Sequence, residues 1–309
     1  MRRQCNKTAA VGLALVLLAG CASTAPGPEA ADPAEGGLSA QAPSADDLDP
    51  DLLFHALAAE RLGAAGNYIE AYGHAHEAAL LSDNPDLARQ AVSLAMRVGN
   101  WEGVTTSARR WRQLDEESSA AEQLIVLGLM NQAEFESAAR ELAPILRAAE
   151  DRAEAWREVT LLIASAERDD NALAVMDALV ERMPETDESQ VLESRSLLLW
   201  QMGRPEEAFE LARSAAEGSE DTDRLIWAAQ LAAANDDFEA ALELYQNARA
   251  VDPDNARLAL AQAEVLRQMD READAIELLR TVPESTATLY SLGLYQYEAE
   301  DLEGARQSW

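Results

Sequence analysis

Residues that could carry out chemistry are few in this sequence of 309 residues. The three histidines are His55, His74 and His76. His74 and His76 lie two positions apart in a predicted helix, which turns their side chains about 200° from each other and not onto one face as a metal-binding pair. The sequence also contains no glycine-rich phosphate loop and no Gly-x-Ser-x-Gly turn. We therefore predict no catalytic residue, no metal ligand and no cofactor, and we expect a protein that is not an enzyme.

The amino-terminal segment has the features of a secretory signal. Arg2, Arg3 and Lys7 make its beginning positive, and residues 11–18 form a short apolar run that is followed by small residues. This run is well below the ~20 apolar residues that a membrane-spanning helix needs. The sequence therefore predicts a signal peptide over residues 1–20.

Cys21 directly follows the apolar run, in the sequence Leu-Ala-Gly-Cys. This segment resembles the lipobox of bacterial lipoproteins, which implies that Cys21 is acylated and becomes the first residue of the mature chain. Ala22 and Ser23 come next, with no aspartate, and in enterobacterial lipoproteins this pattern is similar to that of proteins sorted to the outer membrane. The resemblance implies a lipid anchor in the outer membrane, with the body facing the periplasm. The alternative is an ordinary signal peptide that is cleaved near an Ala-x-Ala site, with Cys21 incidental.

The charge of the chain limits its partners. Removal of residues 1–20 leaves 22 basic and 56 acidic residues, a net charge of −34. Such a surface repels nucleic acid and anionic lipid headgroups, so we expect no nucleic-acid partner. Membrane attachment would then depend on the acyl chains, in which each buried methylene contributes about 0.8 kcal/mol. Since Cys5 leaves with the signal peptide and Cys21 carries lipid, no thiol remains for a disulfide.

The mature sequence divides into two parts. Residues 21–50 comprise the lipidated cysteine and a linker rich in Ala, Pro, Gly, Ser and Asp, which has too few large apolar side chains to offset the entropy of ordering. Residues 51–309 are rich in Ala and Leu with helical periodicity. We therefore predict a flexible tether followed by an all-α body.

The all-α body repeats. Segments similar to Gly66-Asn67-Tyr68-Ile69-Glu70-Ala71 recur along it. Each ends in alanine, except for one that ends in Val104. The last residues of the eight segments stand at positions 71, 104, 138, 172, 208, 241, 275 and 305, with separations of 33, 34, 34, 36, 33, 34 and 30. This series matches the 34-residue tetratricopeptide period.

The series resembles the tetratricopeptide repeat (TPR) family over residues 51–309. The resemblance implies a superhelical solenoid of antiparallel helix pairs, with about eight repeats, in which a small residue lies where the two helices cross. Repeats two and three are degenerate, because Val104 replaces the expected alanine and Trp111 and Ile145 replace small residues. Trp309 falls inside the second helix of repeat eight, so we expect an incomplete last repeat and an array truncated at its carboxyl end.

In the TPR family the first helix of each repeat lines a concave groove. The Lys and Asn residues of the family's carboxylate clamp are missing at the corresponding positions, which hold pairs such as Arg157 and Leu161. Large apolar and aromatic side chains occur there instead, and such residues anchor extended segments or partner helices. The alternative for each is packing against a neighbouring helix; Trp200 and Tyr297 are favoured as anchors because the repeat phase turns them away from the second helix. The predicted partner-binding residues are Leu127, Met130, Leu161, Leu197, Trp200, Tyr290, Leu294 and Tyr297.

These features favour a membrane-anchored periplasmic scaffold that binds proteins through its groove. The long acidic array with a degenerate second repeat resembles the TPR adaptor lipoproteins that recruit a carboxyl-terminal processing protease to cell-wall hydrolases. That resemblance implies that the protease and its substrates are the partners. Two alternatives remain open. One is an assembly lipoprotein for outer-membrane proteins or a pilus secretin, and the other is the amino-terminal part of an enzyme whose catalytic domain is missing.

Overall fold

The computed structural model describes residues 49–309, which form sixteen helices and no strand. The predicted signal peptide, Cys21 and the linker as far as residue 48 lie outside the described residues. The first helix begins at Pro50, where the Asp49 carboxylate accepts a hydrogen bond from the backbone N–H of Asp51 at 2.9 Å. Within residues 49–309, no helix combines the length and the apolar character needed to cross a bilayer. The predicted all-α architecture is confirmed for this part of the chain.

The helices follow one another along the chain with short connections. Their bounds are α1 Pro50–Ala64, α2 Tyr68–Leu80, α3 Pro85–Arg97, α4 Trp101–Leu114, α5 Ser119–Asn131, α6 Phe135–Ala148, α7 Arg152–Ala164, α8 Asp169–Arg182, α9 Glu188–Gln201, α10 Pro205–Ala216, α11 Thr222–Ala234, α12 Phe238–Val251, α13 Ala256–Gln268, α14 Glu272–Arg280, α15 Thr286–Glu298 and α16 Leu302–Ser308.

The eight aligned sequence positions are the points where paired helices cross. Each lies three residues after the first residue of the second helix of its pair, and each side chain is at most 2% exposed. The residue twelve positions earlier, on the first helix, is buried in every pair as well. A side chain no larger than valine at both places lets the two helices approach closely. The crossing residues are Ala71, Val104, Ala138, Ala172, Ala208, Ala241, Ala275 and Ala305, opposite Ala59, Val92, Val126, Thr160, Ser196, Ala229, Ala263 and Gly293.

The turn inside each pair has the same backbone conformation in seven of the eight repeats. One residue has a φ between 56° and 83°, and the N–H of the next residue donates to the carbonyl oxygen five positions earlier, at 2.8–3.0 Å. This is the Schellman ending of a helix, which usually uses glycine because a Cβ is strained at positive φ. Glycine occupies the position in three repeats and other residues in four. These residues are Gly66, Gly99, Ala133, Gly203, Asp236, Asp270 and Glu300.

The fourth pair, α7 and α8, departs from this pattern. Its turn has no residue with positive φ, and the N–H groups of Ser165 and Ala166 donate to carbonyls only three residues earlier. The turn is tied to the preceding repeat, since Asn131 accepts from the N–H of Glu167 at 3.1 Å and the Asn171 amide donates to the Met130 carbonyl at 2.9 Å. These two asparagines take the place of the Schellman contact.

The helices around the fourth pair also pack differently from those of the other repeats. α6 packs along α8 and α7 along α9, while α7 and α8 contact each other less than the helices of other pairs do. Large buried side chains such as Trp156, Ile163 and Met176 fill the core of this repeat. Repeat two, in which Val104 replaces the expected alanine, keeps the regular packing of a helix pair. Val92 and Val104 are short enough that α3 and α4 pack as closely as α1 and α2.

Near the carboxyl end of the described chain, a polar network joins α13 to α15. The Glu264 carboxylate accepts hydrogen bonds from Arg267 at 2.6 and 3.0 Å, from Gln268 at 2.8 Å and from the Tyr295 hydroxyl at 3.0 Å. The hydrogen bonds from Arg267 are the main reason that the pKa of Glu264 falls to about 2. Burial, together with the hydrogen bond to this carboxylate, raises the pKa of Tyr295 to about 12. Both shifts favour an ionised Glu264 beside a neutral tyrosine.

The strained turn of repeat three gives a stability prediction. Ala133→Gly should raise the free energy of unfolding by roughly 0.5–1 kcal/mol, because relief of the positive φ exceeds the extra entropy of glycine in the unfolded chain. Ala250→Gly is the control: Ala250 is exposed in α12, so glycine there should cost a similar amount. Urea unfolding followed by circular dichroism measures both, and a lower midpoint for Ala133→Gly would contradict the prediction.

The Glu264 network gives a prediction for pH. Because the folded-state pKa of Glu264 lies below its ordinary value of 4.5, its contribution to stability is present above pH 4.5 and disappears as the pH falls towards 2. The Glu264 side chain is 46% exposed, so solvent screening reduces the contribution at pH 7 to about 1 kcal/mol. Glu264→Gln should therefore lower stability at pH 7 and have little effect near pH 2.

Urea unfolding at several pH values measures this dependence. The control is Glu277→Gln, an exposed glutamate on α14 that should change stability little at either pH. A loss of stability for Glu264→Gln that is the same at pH 7 and near pH 2 would show that the carboxylate charge is not responsible.

Candidate partner-binding groove

A groove with a volume of about 290 Å³ is lined by α7, α9 and α11, which are the first helices of repeats four, five and six. Each helix contributes residues spaced three or four positions apart, which is the spacing of one helix face. The groove thus has the position that the repeat phase predicts. Its lining consists of Ala153, Arg157, Gln190, Glu193, Ser194, Leu197, Asp223, Ile226, Trp227 and Gln230.

Trp227 is held in one orientation by the helix crossing of the preceding repeat. Its indole N–H donates to Ser196 Oγ at 3.0 Å, and Ser196 Oγ in turn donates to the Ala208 carbonyl at 2.7 Å. Ser196 and Ala208 are the two crossing residues of repeat five, so the hydrogen bonds connect the groove wall to a buried contact. The ring of Trp200 meets Trp227 edge to face, with 6.2 Å between the ring centroids. The aromatic wall is therefore ordered before any partner binds.

Charged and amide groups border the apolar residues of the groove. Glu193 pairs with Arg224 at 3.3 Å, and both side chains are more than three-quarters buried. Arg157 pairs with Glu154 at 2.7 Å on the exposed side of α7. Amide side chains such as Gln190 and Gln230 can both donate to and accept from the backbone of an extended segment. The groove combines an apolar anchor surface with hydrogen-bonding groups, as peptide-binding surfaces do.

The structure brings two of the predicted binding residues to this groove. Leu197 lies in its lining, and Trp200, which is 37% exposed, extends the aromatic wall one turn further along α9. Leu161 lies on α7 one turn beyond Arg157 and is 45% exposed. These three side chains are accessible to a partner on the face that the sequence predicts.

The other predicted residues lie apart from the groove. Met130 was expected to face a partner, but this is wrong: its side chain is fully buried in the core because the crowded fourth repeat packs over the end of α5. Leu127 and Leu294 are half-buried against the two large core clusters, so each contributes mainly to packing. Contact with a partner remains a prediction for their exposed parts.

Tyr290 and Tyr297 are exposed on α15, close to Trp309 and remote from the groove in sequence. Trp309 follows α16, its indole N–H donates to the Tyr290 carbonyl at 3.2 Å, and its ring lies 6.2 Å from that of Tyr297. The indole also covers Gly293, where a Cβ would collide with it. Tyr290 and Tyr297 therefore form a second exposed aromatic surface, and their role in binding stays a prediction.

Sequence reasoning missed Ile226, Trp227 and Gln230 on α11. Ile226 and Gln230 occupy in repeat six the same repeat positions as Glu193 and Leu197 in repeat five. Extending the groove positions through repeat six would therefore have identified them. The hydrogen bond that fixes Trp227 could not be foreseen, because it depends on Ser196 reaching two neighbouring helices at once.

The positions of the candidate metal ligands and of the predicted lipidation site can be compared with the described range. Residues 49–309 contain no group of three or more His, Cys, Asp or Glu side chains that could hold a metal ion. His74 and His76, which lie two positions apart in α2, have different neighbours: Nδ1 of His74 lies 3.0 Å from Nδ1 of His55, while Nδ1 of His76 lies 3.4 Å from Ser107 Oγ. Cys21, the predicted lipidation site, lies outside the described range.

Comparison with known proteins agrees with the repeat architecture. Residues 232–292 match a family described as tetratricopeptide repeat. The comparison with curated proteins gave no match. In the described range, the repeat register and the buried crossings continue the helix-pair pattern of this matched segment as a solenoid of repeated helix pairs.

Several solved structures are similar to the chain at low identity. The crystal structure of MamA is 17% identical, covering 45% of this chain and 84% of that one, with a TM-score of 0.39. The pilF protein of Pseudomonas aeruginosa is 17% identical, covering 70% and 96%, with a TM-score of 0.36. A tetratricopeptide repeat protein from Parabacteroides merdae is 17% identical, covering 72% and 90%, with a TM-score of 0.35.

Proposed function

We propose that this protein is a lipid-anchored periplasmic scaffold that binds a segment of a partner protein in the groove of α7, α9 and α11. The observation that carries the proposal is the preformed aromatic wall of Trp200 and Trp227 beside a groove of about 290 Å³. A tryptophan that is already fixed by hydrogen bonds loses little side-chain entropy when a partner covers it. Such residues contribute most of the affinity in protein interfaces.

The groove favours an extended segment with one large apolar side chain. Leu197, Ile226 and Trp227 can surround that side chain, and its burial contributes roughly 1.5–3 kcal/mol. Asp223 is exposed in the same lining and attracts a neighbouring Lys or Arg of the segment, whereas Glu193 is already paired with Arg224. The strongly acidic body would also raise the rate at which such a cationic segment associates.

Anchoring is the second part of the proposal. Cys21 would carry the acyl chains, and residues 22–48 would connect them to the solenoid. The net charge of −34 after removal of residues 1–20 disfavours attraction to anionic headgroups, so the lipid would have to supply the membrane affinity. An anchor of this kind would keep the groove at the outer membrane.

The partners proposed are a carboxyl-terminal processing protease and the cell-wall hydrolases that it cleaves. This part rests on the resemblance of the lipobox followed by a long TPR array to adaptor lipoproteins. A scaffold that holds protease and substrate together raises the effective concentration of one for the other without taking part in the reaction.

Affinity capture from detergent-solubilised envelope tests the groove. The wild-type protein should recover a processing protease and at least one cell-wall hydrolase, identified by mass spectrometry. Trp200→Ala and Trp227→Ala should each reduce the affinity for the captured segment at least fivefold, because about 1 kcal/mol or more is lost with a buried aromatic anchor.

Ile69→Ala is the control, since it removes a large exposed apolar side chain on α2, far from the groove in sequence. It should leave capture unchanged. Equal capture by all four proteins would contradict the groove proposal. Capture that depends on Trp227 but recovers pilus or outer-membrane assembly proteins would keep the groove and replace the proposed partners.

Membrane fractionation tests the anchor. Cys21→Ser should move the protein from the membrane fraction to the soluble periplasmic fraction, because serine is not a substrate for the thioether linkage of lipidated cysteine. Cys5→Ser lies within the predicted signal peptide and should leave the mature protein at the membrane. Membrane retention of a Cys21→Ser protein from which residues 1–20 have been removed would show that lipid at this residue is not the anchor.

A further inference from the structure

Two of the three histidines meet between the helices of repeat one. His55 lies in α1 and His74 in α2, and their Nδ1 atoms are 3.0 Å apart. The ring centroids are separated by 5.0 Å, with an angle of 46° between the ring planes. Both side chains are half-buried, so the pair is held by the packing of α1 on α2 while one side remains open to water.

The separation of the two nitrogens corresponds to that of neighbouring ligands on a metal ion. Two imidazole nitrogens at about 2.0–2.1 Å from a metal are about 2.9 Å apart when they subtend a right angle and about 3.3 Å apart in a tetrahedral arrangement. The observed 3.0 Å lies between these values. Without an ion, the same distance is a hydrogen bond in which one ring donates and the other accepts.

An aromatic ring contacts the two histidines, and acidic residues lie one helical turn before each of them. Phe54 meets both rings edge to face, at 5.3 and 5.5 Å between centroids, and so limits their rotation. Asp51 lies one turn before His55 on α1, and Glu70 lies one turn before His74 on α2. Ring orientation fixed in advance reduces the entropy that is lost when an ion binds, and the acidic neighbours favour a cation.

We propose that His55 and His74 form a two-imidazole site for a divalent transition-metal ion of the Ni²⁺, Cu²⁺ or Zn²⁺ class. Water molecules complete the coordination on the open side, so the site exchanges its ion readily. Imidazole nitrogen is a ligand that suits these ions, whereas Mg²⁺ and Ca²⁺ prefer oxygen. The ion would tie α1 to α2 and thereby stabilise repeat one, independently of any partner in the groove of α7, α9 and α11.

Isothermal titration of the full-length protein, prepared without added histidines, with Ni²⁺ tests the site. The wild-type protein should have one Ni²⁺ site that is tighter than all its other Ni²⁺ sites. His55→Asn and His74→Asn should each weaken binding at that site at least tenfold. Asparagine places an amide atom near the position of Nδ1, so the contact between the helices is preserved while the imidazole ligand is lost. His76→Asn is the matched control, because His76 is the remaining histidine and contacts Tyr72 and Ser107 instead.

A second measurement needs no variant. In an NMR spectrum of the wild-type imidazole nitrogens, Zn²⁺ should shift the signals of His55 and His74 and leave those of His76 in place. Ni²⁺ should also raise the unfolding temperature of the wild-type and His76→Asn proteins but not of the other two variants. Absence of binding to the wild-type protein, equal binding by all variants, or equal shifts for the three histidines would overturn the proposal.

Discussion

The close crossing of two helices at one small residue per pair is the constraint on which the remaining structure depends. Residues such as Ala71 and Ala241 are fully buried because the helices touch there, and a longer side chain would force them apart at a cost of about 1–3 kcal/mol. Repetition of this contact every 34 residues or so gives the first helices of the regular pairs a similar orientation, from which the fourth pair departs. Side chains fifteen and eleven positions before each crossing residue consequently point to one common face.

The groove arises where this pattern changes. In repeat four the crossing is looser, large side chains such as Trp156 and Met176 fill the core, and two asparagines tie the turn to the preceding repeat. In repeat five the crossing residue is Ser196, which is small enough to fit and polar enough to bond both Ala208 and the indole of Trp227. One buried hydroxyl thus links the packing of a helix pair to the shape of the surface that we propose as the binding site.

The acidic charge, the exposed aromatic residues and the histidine pair belong to different parts of the described chain. The acidic surface disfavours partners that are themselves strongly negative. Among the exposed aromatic residues, Tyr290, Tyr297 and Trp309 lie together near the carboxyl end of the described range, Trp200 lies at the groove wall and Phe54 lies on α1. Between α13 and α15, the half-exposed Glu264 carboxylate stays charged because Arg267 and Tyr295 donate hydrogen bonds to it. The histidine pair of repeat one lies away from both regions in the sequence, so metal binding there and partner binding in the groove can be tested separately.

The sequence by itself determined the helical class, the register of all eight crossings and the helices that line the groove. It could do so because small residues and helical periodicity are local properties of the chain, repeated at a fixed interval. Only the tertiary structure decided that Met130 is buried, that repeat four and not repeat two is irregular, and that His55 meets His74. Each of these depends on which side chains from distant helices fill the same space, and Trp227 likewise owes its orientation to a hydroxyl 31 residues away.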